Sequence, residues 1–112
     1  MKRRTKDFAL RTVRLVQALP KDLAAKAIAN QLIRCATSVG VNYRSACRGR
    51  SRAEFISKLG VVLEEYDESS YWIELIIESE MLPRSKVDAL LRESEEISAI
   101  IYSAIRTLRG KS

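Results

Sequence analysis

Apolar residues recur along this chain at helical spacing, and no segment alternates at the period of a strand or carries a hairpin dipeptide. From Thr5 to Leu19, one stripe holds Phe8, Thr12, Leu15, Val16 and Leu19, and Pro20 closes it. From Lys21 to Arg48, Ile28, Leu32, Cys35, Val39, Asn42 and Ala46 alternate by four and three, a heptad-like seam. Thr37, Ser38 and Gly40 are poor helix formers within it, which predicts a kink or a close helix contact there. Ser51-Arg-Ala-Glu54 has the form of a capping box, and Gly49 stands where the preceding helix needs a C-terminal cap. Phe55, Leu59, Val62, Tyr66, Ser69, Ile73 and Ile76 then run as a long seam widened by Ile56, Leu63, Ser70 and Ile77. Pro83 is expected to end that helix, and Val87, Leu90, Ile97, Ile101, Ala104 and Leu108 mark the last one.

The pattern predicts helices over about 5–19, 21–48, 51–81 and 84–109. Short connections make neighbours antiparallel. The fold class is therefore all-α, an antiparallel up-down four-helix bundle in one domain spanning 1–112. The third helix has more apolar residues than one core-facing stripe can use. Tyr71, Trp72 and Leu75 are the surplus, read as an oligomer interface.

Charge changes the picture more than composition does. Residues 1–52 hold 13 Lys/Arg against 2 Asp/Glu, and residues 53–112 hold 7 against 12. In an antiparallel bundle, part of that asymmetry is absorbed by pairing within or between subunits. No apolar run reaches the roughly 20 residues of a membrane span, and the basic N-terminus lacks a signal-peptide core. No membrane contact and a cytoplasmic location are expected. Cys35 and Cys47 are twelve residues apart on one helix, about 18 Å, too far for a disulfide.

There is no histidine, which removes His-based acid–base catalysis, Ser-His-Asp triads and the Glu-x-x-His pairs of di-iron bundles. No phosphate-binding glycine loop is present, and the carboxylates Glu64, Glu65, Asp67 and Glu68 read as a solvated or salt-bridged face. The expectation is no catalysis, no cofactor and no metal.

Two constellations remain. Arg44, Arg48, Arg50 and Arg52 fall within nine residues without an acid, and Lys2, Arg3 and Arg4 join them if the N-terminus folds nearby. They read either as a phosphate grip for nucleic acid or as the solvated junction of two helices, with their charges paired internally. Nothing resembles a base-reading module, and both readings stay open. Asn42 occupies a seam position and needs hydrogen-bond partners. With Arg34, Tyr43 and Glu65 it is read as a structural polar cluster that fixes helix register.

The stretch QLIRCATSVGVNYRSACRGRSRAEFISKLGVVLEEYDESSYWIELI, Gln31 to Ile76, also resembles a known family. Its Q-L-x-R-x-x-T-S-[IV]-G-x-N start, Y-R-x-A, R-S-x-x-[ED]-F-I-x-K-L and Y-W-x-E-L segments resemble bacterial four-helix bundle proteins related to the 23S rRNA intervening-sequence protein. Arg34, Thr37, Ser38, Gly40, Asn42, Tyr43, Arg44, Ser51, Phe55, Lys58, Leu59, Glu65, Tyr71, Trp72 and Glu74 all fall in place. Ser45 departs from the pattern, since many relatives carry Glu there, and its absence leaves Arg44 freer. The resemblance implies a ring-shaped homopentamer. Relatives are encoded within intervening sequences of large ribosomal RNA genes or stand alone. Distant ones accompany reverse transcriptases of diversity-generating retroelements and bind their RNA. The family has no established enzymatic activity.

The function expected is thus a non-catalytic accessory protein that binds nucleic acid, RNA before DNA, as a homo-oligomer. The alternative is a homo-oligomeric scaffold for a protein partner, with its arginines spent in ion pairs.

Overall fold

Asp22, Ser51 and Glu80 set three of the helix boundaries. The computed structural model describes residues 1–110, which form α1 (Lys2–Gln17), α2 (Leu23–Cys47), α3 (Arg52–Glu78) and α4 (Asp88–Gly110). One 3₁₀ turn, Arg84–Lys86, precedes α4, and no strand occurs among the described residues. Asp22 caps α2 by accepting a hydrogen bond from the Ala25 N–H at 2.9 Å, so this helix starts at Leu23 and not at Lys21. Ser51 caps α3 through the Glu54 N–H at 3.1 Å. The return arm of the expected capping box goes elsewhere, because the Glu54 carboxylate accepts from the Arg50 N–H at 3.5 Å.

α3 ends at Glu78, well before Pro83, and its end has a physical cause. Glu80 takes a left-handed φ of 57°. That conformation lets the Met81 N–H reach the Ile76 carbonyl at 3.2 Å and the Glu80 N–H reach that of Ile77 at 3.1 Å. This is a Schellman cap with glutamate where glycine usually stands. Gly49 is the converse: its φ is not positive, so it is not the left-handed cap its position suggested. It is small because the chain is tight there. A Cβ at Gly49 would lie 3.0 Å from the Ala46 carbonyl oxygen and 3.3 Å from the Phe55 nitrogen.

α1 packs on α2 and α4, and α3 packs on the same two, giving an up-down bundle of 48 × 21 × 19 Å. At mid-height the rings of Phe8 and Tyr66 meet at 5.0 Å, tilted by 58°. Leu32, Val39, Val62, Ile73, Ile76 and Ile97 extend the core along the bundle, all fully buried. Each such side chain contributes about 1.5–3 kcal/mol by burial. α2 is unbroken through Thr37-Ser38-Val39-Gly40. Its glycine serves close approach to α1, since a Cβ there would lie 3.5 Å from the Thr5 hydroxyl.

The apolar surplus of α3 shrinks once the bundle forms. Ile77 is buried, and Ile56 and Leu63 pack against the core from partly buried positions. Trp72 and Leu75 are half-buried, and Tyr71 is 55% exposed with its ring edge-on to Trp72 at 5.1 Å.

Two substitutions test these boundaries by thermal unfolding. Glu80→Gly is expected to stabilise the protein by about 1 kcal/mol, the cost of a left-handed non-glycine residue. Gly49→Ala is expected to destabilise it by about 1–3 kcal/mol, because the added methyl meets backbone atoms that cannot swing away.

Candidate nucleic-acid interface

Helix directions decide where the charges collect. Gly40 of α2 lies level with Thr5 of α1, and Gly49 lies against Phe55 at the start of α3. The N-terminus of α1, the C-terminus of α2, the N-terminus of α3 and the C-terminal half of α4 therefore share one half of the bundle. That half carries Lys2, Arg3, Lys6, Arg44, Arg48, Arg50 and Arg52, together with Arg106 and Arg109 from α4. Of these, Lys2, Lys6, Arg44, Arg48 and Arg50 show no ion pair among the described residues. Arg44, Arg48, Arg50 and Arg52 are all exposed. Arg3 pairs with Asp7 at 3.1 Å, an exposed contact within one helix turn. Arg106 stands 5.9 Å over the exposed Tyr102 ring.

Arg4 is the correction among the predicted contacts. Its guanidinium is held by the Glu93 carboxylate at 2.8 and 3.0 Å, in the two-point geometry of an arginine–carboxylate fork, and by Glu96 at 2.9 Å. These bonds raise the Arg4 pKa still further and lower that of Glu93, despite partial burial that opposes the latter. Arg4 staples α1 to α4 and is not available to a ligand.

The proposed polar cluster also divides. Arg34 reaches across to α3, meeting Glu68 at 2.6 Å and Glu65 at 3.7 Å. Burial pushes the Glu65 carboxyl above its ordinary pKa, with Glu68 adding repulsion and Arg34 pulling the other way. Cys35 sits beside this group and accepts a hydrogen bond from the Ser69 hydroxyl at 3.2 Å; burial raises its thiol pKa. One ligand atom each from Cys35, Glu65 and Glu68 lies within 4.8 Å of the others, with Arg34 as their compensating charge. Asn42 is not part of this group. Its amide donates to the Ser38 carbonyl of its own helix at 3.0 Å, so the seam asparagine satisfies itself locally. Tyr43 is partly buried beside Cys47, and desolvation raises its pKa. Arg44 meets none of the acids of α3.

Arg106 was not among the residues selected from sequence. The antiparallel order alone places the end of the fourth helix beside the start of the third, and that was the signal available. Ser94 was missed for another reason: it is a buried serine, bonded to Ser70 at 2.7 Å and to the Tyr66 carbonyl at 3.2 Å, in a place where periodicity seeks apolar residues.

The family model of the 23S rRNA-intervening sequence protein matches residues 1–103. The chain belongs to this family. No curated protein matches it. Among solved structures, a protein of unknown function from the S23 ribosomal protein family of Bacteroides thetaiotaomicron, determined at 1.70 Å, is 36% identical. The alignment covers 93% of this chain and 96% of that one, with a TM-score of 0.86. Membership in the 23S rRNA-intervening sequence protein family fixes the four-helix fold. Among the described residues, no helix is long and apolar enough to cross a membrane.

The staple has a pH signature. The Glu93 carboxyl sits below its ordinary value near 4.5 in the folded protein, so its contribution is present above that value. It disappears as the pH falls through the folded-state pKa. Urea unfolding at several pH values is expected to show wild type more stable than Glu93→Gln near pH 7, with the gap closing in acid.

Proposed function

We propose that the protein is a non-catalytic accessory protein that binds nucleic acid, RNA in particular, through the cationic half of its bundle. The observation carrying this reading is the convergence of Lys2, Lys6, Arg44, Arg48 and Arg50 in one half of the molecule, with none spent in an ion pair among the described residues. An internal-pairing role for Arg44, Arg48 and Arg50 asks for acids within reach of their guanidinium groups, and the nearest acids with partners among the described residues meet other groups. Asp7 meets Arg3, Glu93 and Glu96 meet Arg4, and Glu54 accepts from the Arg50 backbone. Phosphate is the ligand such exposed guanidinium and ammonium groups suit best. The family name, which refers to an intervening sequence of 23S rRNA, favours RNA over DNA.

The protein acts as a homo-oligomer, a pentameric ring by family resemblance, with Tyr71, Trp72 and Leu75 in a subunit contact. The exposed Tyr71 ring, backed by Trp72, supports that part. Repetition of a modest cationic patch around a ring raises avidity without new contacts. No acid–base or nucleophilic chemistry is assigned, and the protein works by binding.

Filter binding of a structured RNA at increasing salt tests the reading. The logarithm of affinity is expected to fall linearly with the logarithm of salt concentration, and Arg48→Glu with Arg50→Glu to weaken binding by about tenfold or more. An affinity unchanged by salt and by the double reversal overturns the reading. If the same reversal dissolves the oligomer while wild type never bound RNA, the protein is a scaffold.

A further inference from the structure

Arg11, Arg14, Leu15 and Ala18 repeat at helical spacing along one side of α1, toward the end of that helix away from Arg4. Opposite them stand Leu82 of the α3–α4 connection, Lys86 of the 3₁₀ turn, and Ala89 and Leu90 of the first turn of α4. Between the two rows lies a groove of about 300 Å³, the size at which small-molecule sites begin. Its floor is the core itself. Leu15 and Leu90 are 8% and 4% exposed, and Leu82 packs against the core from a partly buried position. Its rim is cationic, because Arg11, Arg14 and Lys86 come to it from two sides, and none makes an ion pair among the described residues. No carboxylate lines the groove. The acids of the neighbouring turns are taken: Glu93 gives both oxygens to Arg4, and Asp88 meets Arg84 at 3.5 Å. Arg11 is near enough to add, after Arg4, to the pull that lowers the Glu93 carboxyl, yet it forms no pair of its own.

We propose that this groove binds a small amphiphilic anion, an aliphatic chain that ends in a carboxylate or a phosphate. Three like charges around one apolar floor repel one another until an anion joins them. Guanidinium groups suit an oxyanion because they present paired donors to it. The leucines then take the chain. From Arg11 to Ala18 the helix rises about 10 Å, which an extended chain of roughly eight carbons spans at ordinary bond lengths. No aromatic ring lines the groove, so a nucleobase has nothing to stack on there. Bound in this position, the anion joins the far end of α1 to the start of α4, as Arg4 joins the near end of α1 to Glu93 and Glu96.

The test is an amide chemical-shift titration of the full chain with octanoate and with octyl phosphate. Octanol, which lacks the charge, and acetate, which lacks the chain, are the controls. At least one of the two anions is expected to bind about tenfold or more tightly than either control, with shifts gathered at 11–18 and 82–90. The tighter of the two names the headgroup. Arg14→Glu is expected to weaken that anion by about tenfold or more while leaving octanol within about twofold. Ala89→Glu, which sets a carboxylate in the groove, is expected to weaken the anion likewise. If Ala89→Glu does not fold by circular dichroism, Lys86→Glu makes the same comparison at an exposed position. Arg48→Glu with Arg50→Glu is expected to leave anion binding within about twofold while reducing RNA affinity, so this site and the RNA reading fail separately. Anions bound no more tightly than the controls, or with an affinity indifferent to Arg14→Glu, overturn the proposal. So does an oligomer that dissociates on Ala89→Glu in light scattering, because a second copy then fills the groove.

Discussion

A four-helix bundle whose helices differ in length must fasten the shortest at one level along the others. At about 1.5 Å per residue, α1 covers roughly 24 Å beside an α3 of roughly 40 Å. Everything of functional interest follows from where the short helix is fastened. The Phe8–Tyr66 ring contact and the Arg4 fork to Glu93 hold it against the middle of α3 and α4. The cations of α1 thereby come to lie level with those at the end of α2.

That placement separates two kinds of arginine that look alike in a sequence. Arg4 and Arg34 each face carboxylates from another helix, so they work as cross-links between elements. Arg44 and Arg48 lie beyond the reach of such acids. The difference is vertical position along the bundle, since Glu65 and Glu68 sit at the centre of α3, and Glu93 and Glu96 in the first half of α4. Net charge by itself cannot register this.

The core was legible because it depends on period. Leu32, Cys35, Val39, Ala46, Leu59, Val62, Tyr66, Ser69, Ile73 and Ile76 all lie where the four-three seams put them. What stayed hidden depends on hydrogen-bond geometry or on a partner distant in sequence. Glu80 in a left-handed conformation is invisible to propensity, so Pro83 took the credit for ending α3. Asn42 looked like a partner-seeking buried amide, yet a carbonyl one turn back satisfies it. Arg4 lay in a basic run, and only the meeting of α1 with α4, 89 residues away, shows it as a staple. Gly49 does stand just past the end of α2, and tight packing rather than a positive φ calls for a glycine there.

The extents of 48 × 21 × 19 Å acquire a further meaning once the cations gather in one half. The body is more than twice as long as it is wide, with positive charge concentrated toward one end of the long axis. Such a molecule experiences a torque near any polyanion and turns before it touches. If nucleic acid is the ligand, as proposed, encounter is expected to begin at this end, at a rate that falls with ionic strength even when the contacts finally made are unchanged. The antiparallel order of four helices thus sets the distribution of charge along the molecule as well as the shape of the fold.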